Sequence, residues 1–276
     1  MNHSSTLDLL LDDSAKAAAI LMLDKVNSRA RRSANFGEAI EVRNPSDGAL
    51  IGRVANEGTK GVSFAVERAS QALAPWASLL PRERGAIMTR WHRLILENAE
   101  GLAALMTLEQ GKPVQDAKGE IAYAASFIEW FAEEGSRLYG DTIPSHLPGT
   151  SMQVTQRPVG VVGAITPWNF PSAMLTRKAA AALAAGCPVV SIPSKVTPFS
   201  ALALEMLALE AGTPDGVFQV VTGHARELVA ELCSHTTVRA VSYTGSTEVG
   251  REIMKQCAAT VKRVSLELGG HAPFIV

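Results

Sequence analysis

The feature that most constrains this chain is the unbroken apolar run Val159-Gly160-Val161-Val162-Gly163-Ala164-Ile165. It is short for a helix and has no polar face, which suits a parallel strand buried on both sides. The same rhythm then repeats. Helical spacing covers Ser172 to Ala185 and stops at Gly186, and a strand follows over Val189 to Ile192. Thr197 as a cap and Pro198 at the first helical position open the next helix, which Gly212 closes. Phe218 to Val221 reads as a strand, Ala225 to Leu232 as a helix and Val238 to Tyr243 as a strand. Ser246 to Ala259 reads as a helix with Val249, Ile253, Met254 and Cys257 inward, and Arg263 to Leu268 alternates like a strand. Repeated βα units imply an α/β fold, a doubly wound Rossmann-like parallel sheet.

The remainder of the chain is punctuated differently. Residues 1–35 read as an irregular extension with a short helix from Ser14 to Val26 and a solvated Arg29, Arg31, Arg32 cluster. Residues 36–139 form an N-terminal helical part. It opens with strands Ile40–Arg43 and Leu50–Val54 around an Asn-Pro-Ser-Asp-Gly turn. Helices follow over Thr59–Trp76, Pro81–Asn98 and Ala99–Gln110, with another within Pro113–Leu138. Pro144, Pro148 and Gly149 break residues 140–156 into a projecting hairpin. The Rossmann-like part is then 157–268, and 269–276 begin a further domain.

Composition excludes several classes of function. Hydrophobic residues make up 47% and charged residues 19%, enough to bury a sizeable core. A net charge of -1 offers nothing to nucleic acid or an anionic membrane. The apolar run Ala17 to Leu23 is too short to span a bilayer, and Asp8, Asp12 and Asp13 precede it where a secretory signal wants positive charge. These features favour a cytoplasmic protein. The three cysteines, Cys187, Cys233 and Cys257, form no CxxC and each lies in or beside an apolar stretch, so buried, inert thiols are expected. No metal-ligand spacing is present, and no metal is expected.

Ligands of doubly wound sheets bind beyond the carboxyl ends of the strands. Three segments fall there: Thr166-Pro167-Trp168-Asn169-Phe170-Pro171, Ser191-Ile192-Pro193-Ser194-Lys195, and Thr244-Gly245-Ser246-Thr247-Glu248-Val249-Gly250. The last feeds a helix N-terminus, where N–H groups and the helix dipole suit a pyrophosphate. It is neither G-x-G-x-x-G nor a Walker A loop, and alone it reads equally well as a plain turn.

Taken together, the motifs are more specific. Arg157-Pro-Val-Gly160-Val, Pro167-Trp-Asn169-Phe-Pro, Ala184-Ala-Gly-Cys187, Thr197-Pro198, Thr244-Gly-Ser-Thr-x-x-Gly250 and Leu266-Glu267-Leu-Gly-Gly270 occur in one order. Val42-Arg-Asn-Pro45, Glu109-Gln-Gly-Lys-Pro113 and Glu129-Trp-Phe-Ala-Glu-Glu134 precede them. From about residue 36 to the last residue the chain resembles the aldehyde dehydrogenase family. It is most similar to succinate-semialdehyde dehydrogenases in Tyr139-Gly-Asp-Thr-Ile-Pro144, Leu175-Thr-Arg177-Lys178 and Leu266 to Phe274.

The resemblance implies NAD(P)+-dependent oxidation of an aldehyde, succinate semialdehyde above all. In the family a cysteine thiolate attacks the aldehyde, hydride passes to the nicotinamide, and a glutamate activates the water that hydrolyses the thioester. Asn169 matches the amide that meets the developing oxyanion. Glu267 matches the general base, and a partly dry strand end implies a raised pKa for it. Arg177 matches the arginine that receives the substrate's far carboxylate, with Lys178 supporting the fold or the local electrostatics. Thr166, Pro167, Trp168, Lys195, Gly245, Ser246, Gly250 and Leu268 match cofactor-binding positions.

Two departures qualify the match. Ile192 stands where the family usually has a lysine for the adenine ribose or the 2′-phosphate, while Lys195 favours NADP over NAD. The chain ends at Phe274-Ile275-Val276, before the position of the family's nucleophilic cysteine. The resemblance therefore implies the N-terminal part of such an enzyme, inactive and poorly soluble alone. The family is homo-oligomeric, and this chain lacks the C-terminal contacts. The alternative is a non-catalytic nucleotide-binding remnant that docks on full-length relatives through residues 140–156.

Overall fold

The computed structural model describes residues 13–30 and 39–276. Arg31 and Arg32 of the expected basic loop lie outside them. Helix α1 (Asp13–Ala30) precedes an antiparallel pair, β1 (Ala39–Arg43) and β2 (Leu50–Ala55). Four helices follow: α2 (Gly58–Ser78), α3 (Pro81–Glu97), α4 (Ala99–Gln110) and α5 (Val114–Glu134), the last running into a 3-10 turn at Gly135–Arg137. An exposed hairpin, β3 (Asp141–Ile143) and β4 (Met152–Val154), leads to the parallel part.

That part runs β5 (Val161–Ile165), α6 (Ala173–Ala184), β6 (Val189–Ile192), α7 (Pro198–Glu210), β7 (Phe218–Val220), α8 (Ala225–Ser234), β8 (Val238–Gly245), α9 (Thr247–Ala258), β9 (Arg263–Leu268). The strands lie in the order β7-β6-β5-β8-β9, all parallel. The sheet is doubly wound. From β5 the chain first moves outward through β6 and β7, then returns to add β8 and β9 on the other side. This places the topological switch point between β5 and β8, where such sheets bind ligands.

Side chains alternate across the sheet with the period of two that a strand imposes. Val162 and Ala164 of β5 face one apolar cluster, which contains α6 and α7 and extends into α1, α3, α4 and α5. Val161 and Ile165 face the other, formed with α2, α8 and α9. β5 is buried along its whole length, as its unbroken apolar sequence requires. Gly186 and Gly212 adopt the left-handed conformation (φ 83° and 95°) just past α6 and α7, which ends both helices where the sequence placed their stops.

The helix expected over Ser14 to Val26 is present and longer, Asp13 to Ala30, and it buries Ala19, Met22 and Val26 in the core. It approaches α4 so closely that a Cβ on Gly101 would sit 3.2 Å from the Ala18 carbonyl oxygen. On α9 the expectation is corrected: the inward stripe is Gly250, Ile253 and Cys257, while Val249 and Met254 are 44% and 55% exposed. The helix is rotated so that Val249 points toward a cleft rather than the core.

Two helices behind the sheet begin at unexpected caps. Thr197 does not cap α7 with its side chain. Glu109, the next-to-last residue of α4, does so instead: its carboxylate accepts from the N–H groups of Phe199 (2.8 Å) and Ser200 (2.7 Å). At α6 the same part is played by Glu120 of α5, which accepts from Ser172 N (2.9 Å) and Ala173 N (3.2 Å). Both glutamates are buried, and each satisfies orphan donors of a first helical turn and complements its dipole.

Burial pushes the Glu109 carboxyl up to about 7 from its usual 4.5, despite the hydrogen bonds from Ser200 and Phe199. A carboxyl with a raised pKa binds its proton more tightly in the folded chain. Its contribution to stability is therefore full below about 4.5 and is lost as the pH rises through about 7. The melting temperature of the wild type should fall relative to that of Glu109→Gln between pH 5 and pH 8. A pH-independent difference between the two would contradict this environment for Glu109.

Candidate active site

A cleft of about 790 Å³ opens beyond the carboxyl ends of β5, β6 and β8. Ile165, Thr166, Pro167 and Trp168 form one wall, Ile192 and Pro193 an apolar floor with Ser194 beside it, and Tyr243 to Ser246 the opposite rim. Ala225 and Val229 of α8 and Val249 and Ile253 of α9 line it as well, and an apolar slot between the two helices suits a flat ring. The Ser246 hydroxyl caps α9 by accepting from Val249 N (3.3 Å), so that helix begins at the cleft. Its first turn packs tightly. A Cβ on Gly250 would lie 2.6 Å from Leu268 Cδ2, and one on Gly245 would overlap the Tyr243 hydroxyl.

Polar groups beside this cleft are left over. The Thr166 hydroxyl and Gln256 Oε1 are buried without a hydrogen-bond partner, and both residues line the cleft. A buried orphan is costly unless a ligand or water completes it. The residues present thus fit a dinucleotide: an apolar slot for a base, a helix N-terminus for phosphates, and unfilled polar positions beside them.

A second group of side chains surrounds Glu267 near the end of β9. Arg177 Nη1 donates to Glu267 Oε1 (2.9 Å) and Arg177 Nη2 to the Tyr123 hydroxyl (2.8 Å), while the guanidinium packs 4.7 Å from the Phe127 ring centre. Thr244 Oγ1 donates to Glu267 Oε2 (2.7 Å), and Lys178 Nζ lies 3.8 Å from the same oxygen. Thr244 also lines the cleft, so one residue links the two clusters. The sequence implied a raised pKa for Glu267, and the structure reverses this. β9 is an edge strand, and the Glu267 side chain is 45% exposed. Burial is therefore outweighed: the Thr244 hydrogen bond, with Lys178 and Arg177, holds the carboxyl below its usual 4.5. Burial lowers the pKa of Lys178 in turn.

Asn169 sits between the two clusters in sequence and is held from behind. Lys112 Nζ donates to the Asn169 carbonyl (3.0 Å) and to Glu120 Oε2 (2.5 Å), and packs 4.3 Å from the Phe170 ring centre. The carboxylate that caps α6 therefore also anchors the Asn169 loop. Of the sequence-derived cofactor positions, Thr166, Pro167, Trp168, Gly245 and Ser246 line the cleft. Gly250 and Leu268 pack on each other at its edge. Lys195 is exposed and is not among the lining residues; neither are Asn169, Arg177 and Glu267. All three cysteines are free and buried, and none lines the cleft. Cys187 instead borders a smaller cavity of about 430 Å³ with Arg177, Lys178 and Glu267. The neighbouring Cys257 thiol, together with burial, raises the Cys233 thiol. Among the described residues, no cluster of side chains could hold a metal ion and no helix is long and apolar enough to cross a membrane.

The sequence model of the aldehyde dehydrogenase family matches residues 31–276. This chain belongs to the aldehyde dehydrogenase family. It is 57% identical to succinate-semialdehyde dehydrogenase GabD of Escherichia coli K12, whose name carries NADP(+), over 88% of this chain and 50% of that protein. It is also 57% identical to a glutarate-semialdehyde dehydrogenase of Pseudomonas putida KT2440, over 88% of this chain and 51% of the relative. A solved structure titled an E. coli NADP dependent enzyme superposes with a TM-score of 0.85 at 56% identity, over 86% of this chain and 49% of that one. The chain spans about half the length of the curated relatives it matches.

Within this aldehyde dehydrogenase chain, several site-building residues escaped the sequence reading. Glu120 and Tyr123 sit on α5 between the motifs at 109–113 and 129–134 and belong to neither, and only their three-residue spacing hints at a shared face. Arg226 of α8 lines the cleft without belonging to any of the quoted motifs. The depressed Glu267 carboxyl gives a direct check. In Arg177→Met its pKa, followed by carbon NMR of the labelled side chain, should rise relative to the wild type, though Thr244 and Lys178 keep it from a fully free value. An unchanged titration would show that Arg177 does not hold Glu267 in solution.

Proposed function

We propose that this chain forms the dinucleotide-binding part of an aldehyde dehydrogenase that oxidises an aldehyde bearing a distant carboxylate, succinate semialdehyde being the leading candidate. The observation that carries the reading is the cleft itself. Thr166 to Trp168, Gly245, Ser246 and the start of α9 converge on one space that leaves the Thr166 hydroxyl unsatisfied. A bound nicotinamide supplies a hydride acceptor. Thr166, Trp168 and Ser246 hold the dinucleotide, and the Ala225/Val229–Val249/Ile253 slot receives its base.

The reacting end is assigned to the other cluster. Asn169, on the loop anchored by Lys112 and Glu120, offers its side-chain amide to a developing oxyanion. Glu267 takes a proton from water, and its lowered pKa keeps it ionised and ready to accept at neutral pH. Arg177 receives the substrate's carboxylate through its guanidinium fork, a role that requires release from Glu267. The names of the semialdehyde dehydrogenases among the relatives support a carboxylate-bearing substrate.

The chemistry also needs a thiolate. The cysteines of this chain are each at most 2% exposed and outside the cleft, which supports binding without turnover by these residues alone. Trp168, 55% exposed at the cleft wall, offers the readout. Titration with NADPH should quench tryptophan emission and sensitise nicotinamide fluorescence, and Trp168→Phe should remove most of that transfer while binding persists. The same preparation should show no oxidation of succinate semialdehyde. Absence of any dinucleotide binding would sink the cofactor reading. Turnover abolished by Glu267→Gln would overturn the expectation of inactivity.

A further inference from the structure

The adenosine end of the cleft is built asymmetrically. Its floor at Ile192 is apolar and 1% exposed, packed in the cluster between the sheet and α2, α8 and α9. No cation can reach a ligand from that position. Lys195, three residues on, is exposed and does not line the cleft. Among the described lining residues Arg226 is the one cation. It stands in the first turn of α8, directly after Ala225 of the apolar slot, where the partial positive charge of the helix N-terminus adds to its own. Its guanidinium is in no ion pair with another described residue. The acids of the cleft, Glu248 and Glu252, come from α9 on the other side of the slot, and Glu252 already accepts from Gln256 Nε2 at 2.9 Å.

We propose that Arg226 receives the 2′-phosphate of an NADP-type cofactor and sets the choice between the phosphorylated and the plain dinucleotide. The assignment rests on the cofactor reading above. A phosphate dianion beside an apolar floor needs a charged donor, and a guanidinium supplies two parallel N–H groups to its oxygens. The Ser194 hydroxyl, which also lines the cleft, is the neutral second donor. The rival arrangement has Glu252 or Glu248 accepting from free ribose hydroxyls, which would favour NAD.

The full 276-residue chain can be tested by calorimetric titration with adenosine 2′,5′-bisphosphate and with 5′-AMP. These probes occupy only the adenosine end. The wild type should bind the bisphosphate about ten-fold more tightly than 5′-AMP, the value of one charge-assisted contact. Arg226→Ala should lose that ratio by weakening the bisphosphate alone, and Arg226→Lys should keep part of it. Because Arg226 is exposed, circular dichroism should report an unchanged fold in both variants. A preference that survives in Arg226→Ala, or a wild type that favours 5′-AMP, overturns this assignment and leaves the cofactor reading standing. Binding of neither probe overturns both.

Discussion

The arrangement depends on two buried carboxylates that reach from the helical layer into the sheet layer. Glu109 and Glu120 each place both oxygens on polar hydrogens, and each closes the first turn of a helix that follows a cleft-forming strand. A buried carboxylate is expensive unless nearly every lone pair is used. Every oxygen of the two has a donor, from the backbone at α7 and from the backbone plus Lys112 at α6, although at Glu109 the burial still outweighs them and raises the carboxyl to about 7. The loops after β5 and β6 are thereby tied to α4 and α5, elements distant in sequence. Lys112 extends the tie to the carbonyl of Asn169, the residue assigned to the oxyanion.

This tie explains why the site is held rather than merely lined. Loops at the carboxyl ends of parallel strands carry function because the strands position them, but strands fix only one end of each loop. Here the far ends are fixed as well, by the capped first turns of α6 and α7. Around Glu267 the logic is different. Its environment comes from Thr244 on the neighbouring strand and from Arg177 and Lys178 of α6. That half of the site is governed by charge, and it is the half in which the substrate's own carboxylate would enter.

Much of the fold was legible because its signals are local. An apolar run with no polar face could only be a strand covered on both sides, and Gly186 and Gly212 stop helices because residues without a Cβ accept the left-handed turn. The cleft wall at Thr166 to Trp168 and Ser246 followed from strand ends alone. What could not be read was non-local. Thr197 looked like a cap, yet Glu109, some ninety residues earlier, does that work. The direction of the Glu267 shift depended on which strand lies at the sheet edge and on a partner from α6. Lys195 was assigned to the cofactor through the family resemblance; in the structure it is exposed and is not among the residues that line the cleft. Helix α1 was undervalued because its apolar residues are ordinary. Their significance lies in Gly101, which lets α4 come close.

Amide hydrogen exchange at Ser172, Ala173, Phe199 and Ser200, resolved by NMR, tests the cross-layer tie directly. If the carboxylates cap these turns in solution, the four amides exchange as slowly as those inside β5, since they open only with the core. Exchange of these amides at the rate of the exposed turn between β3 and β4 would show that the caps do not form and that the loops of the cleft are held by something else.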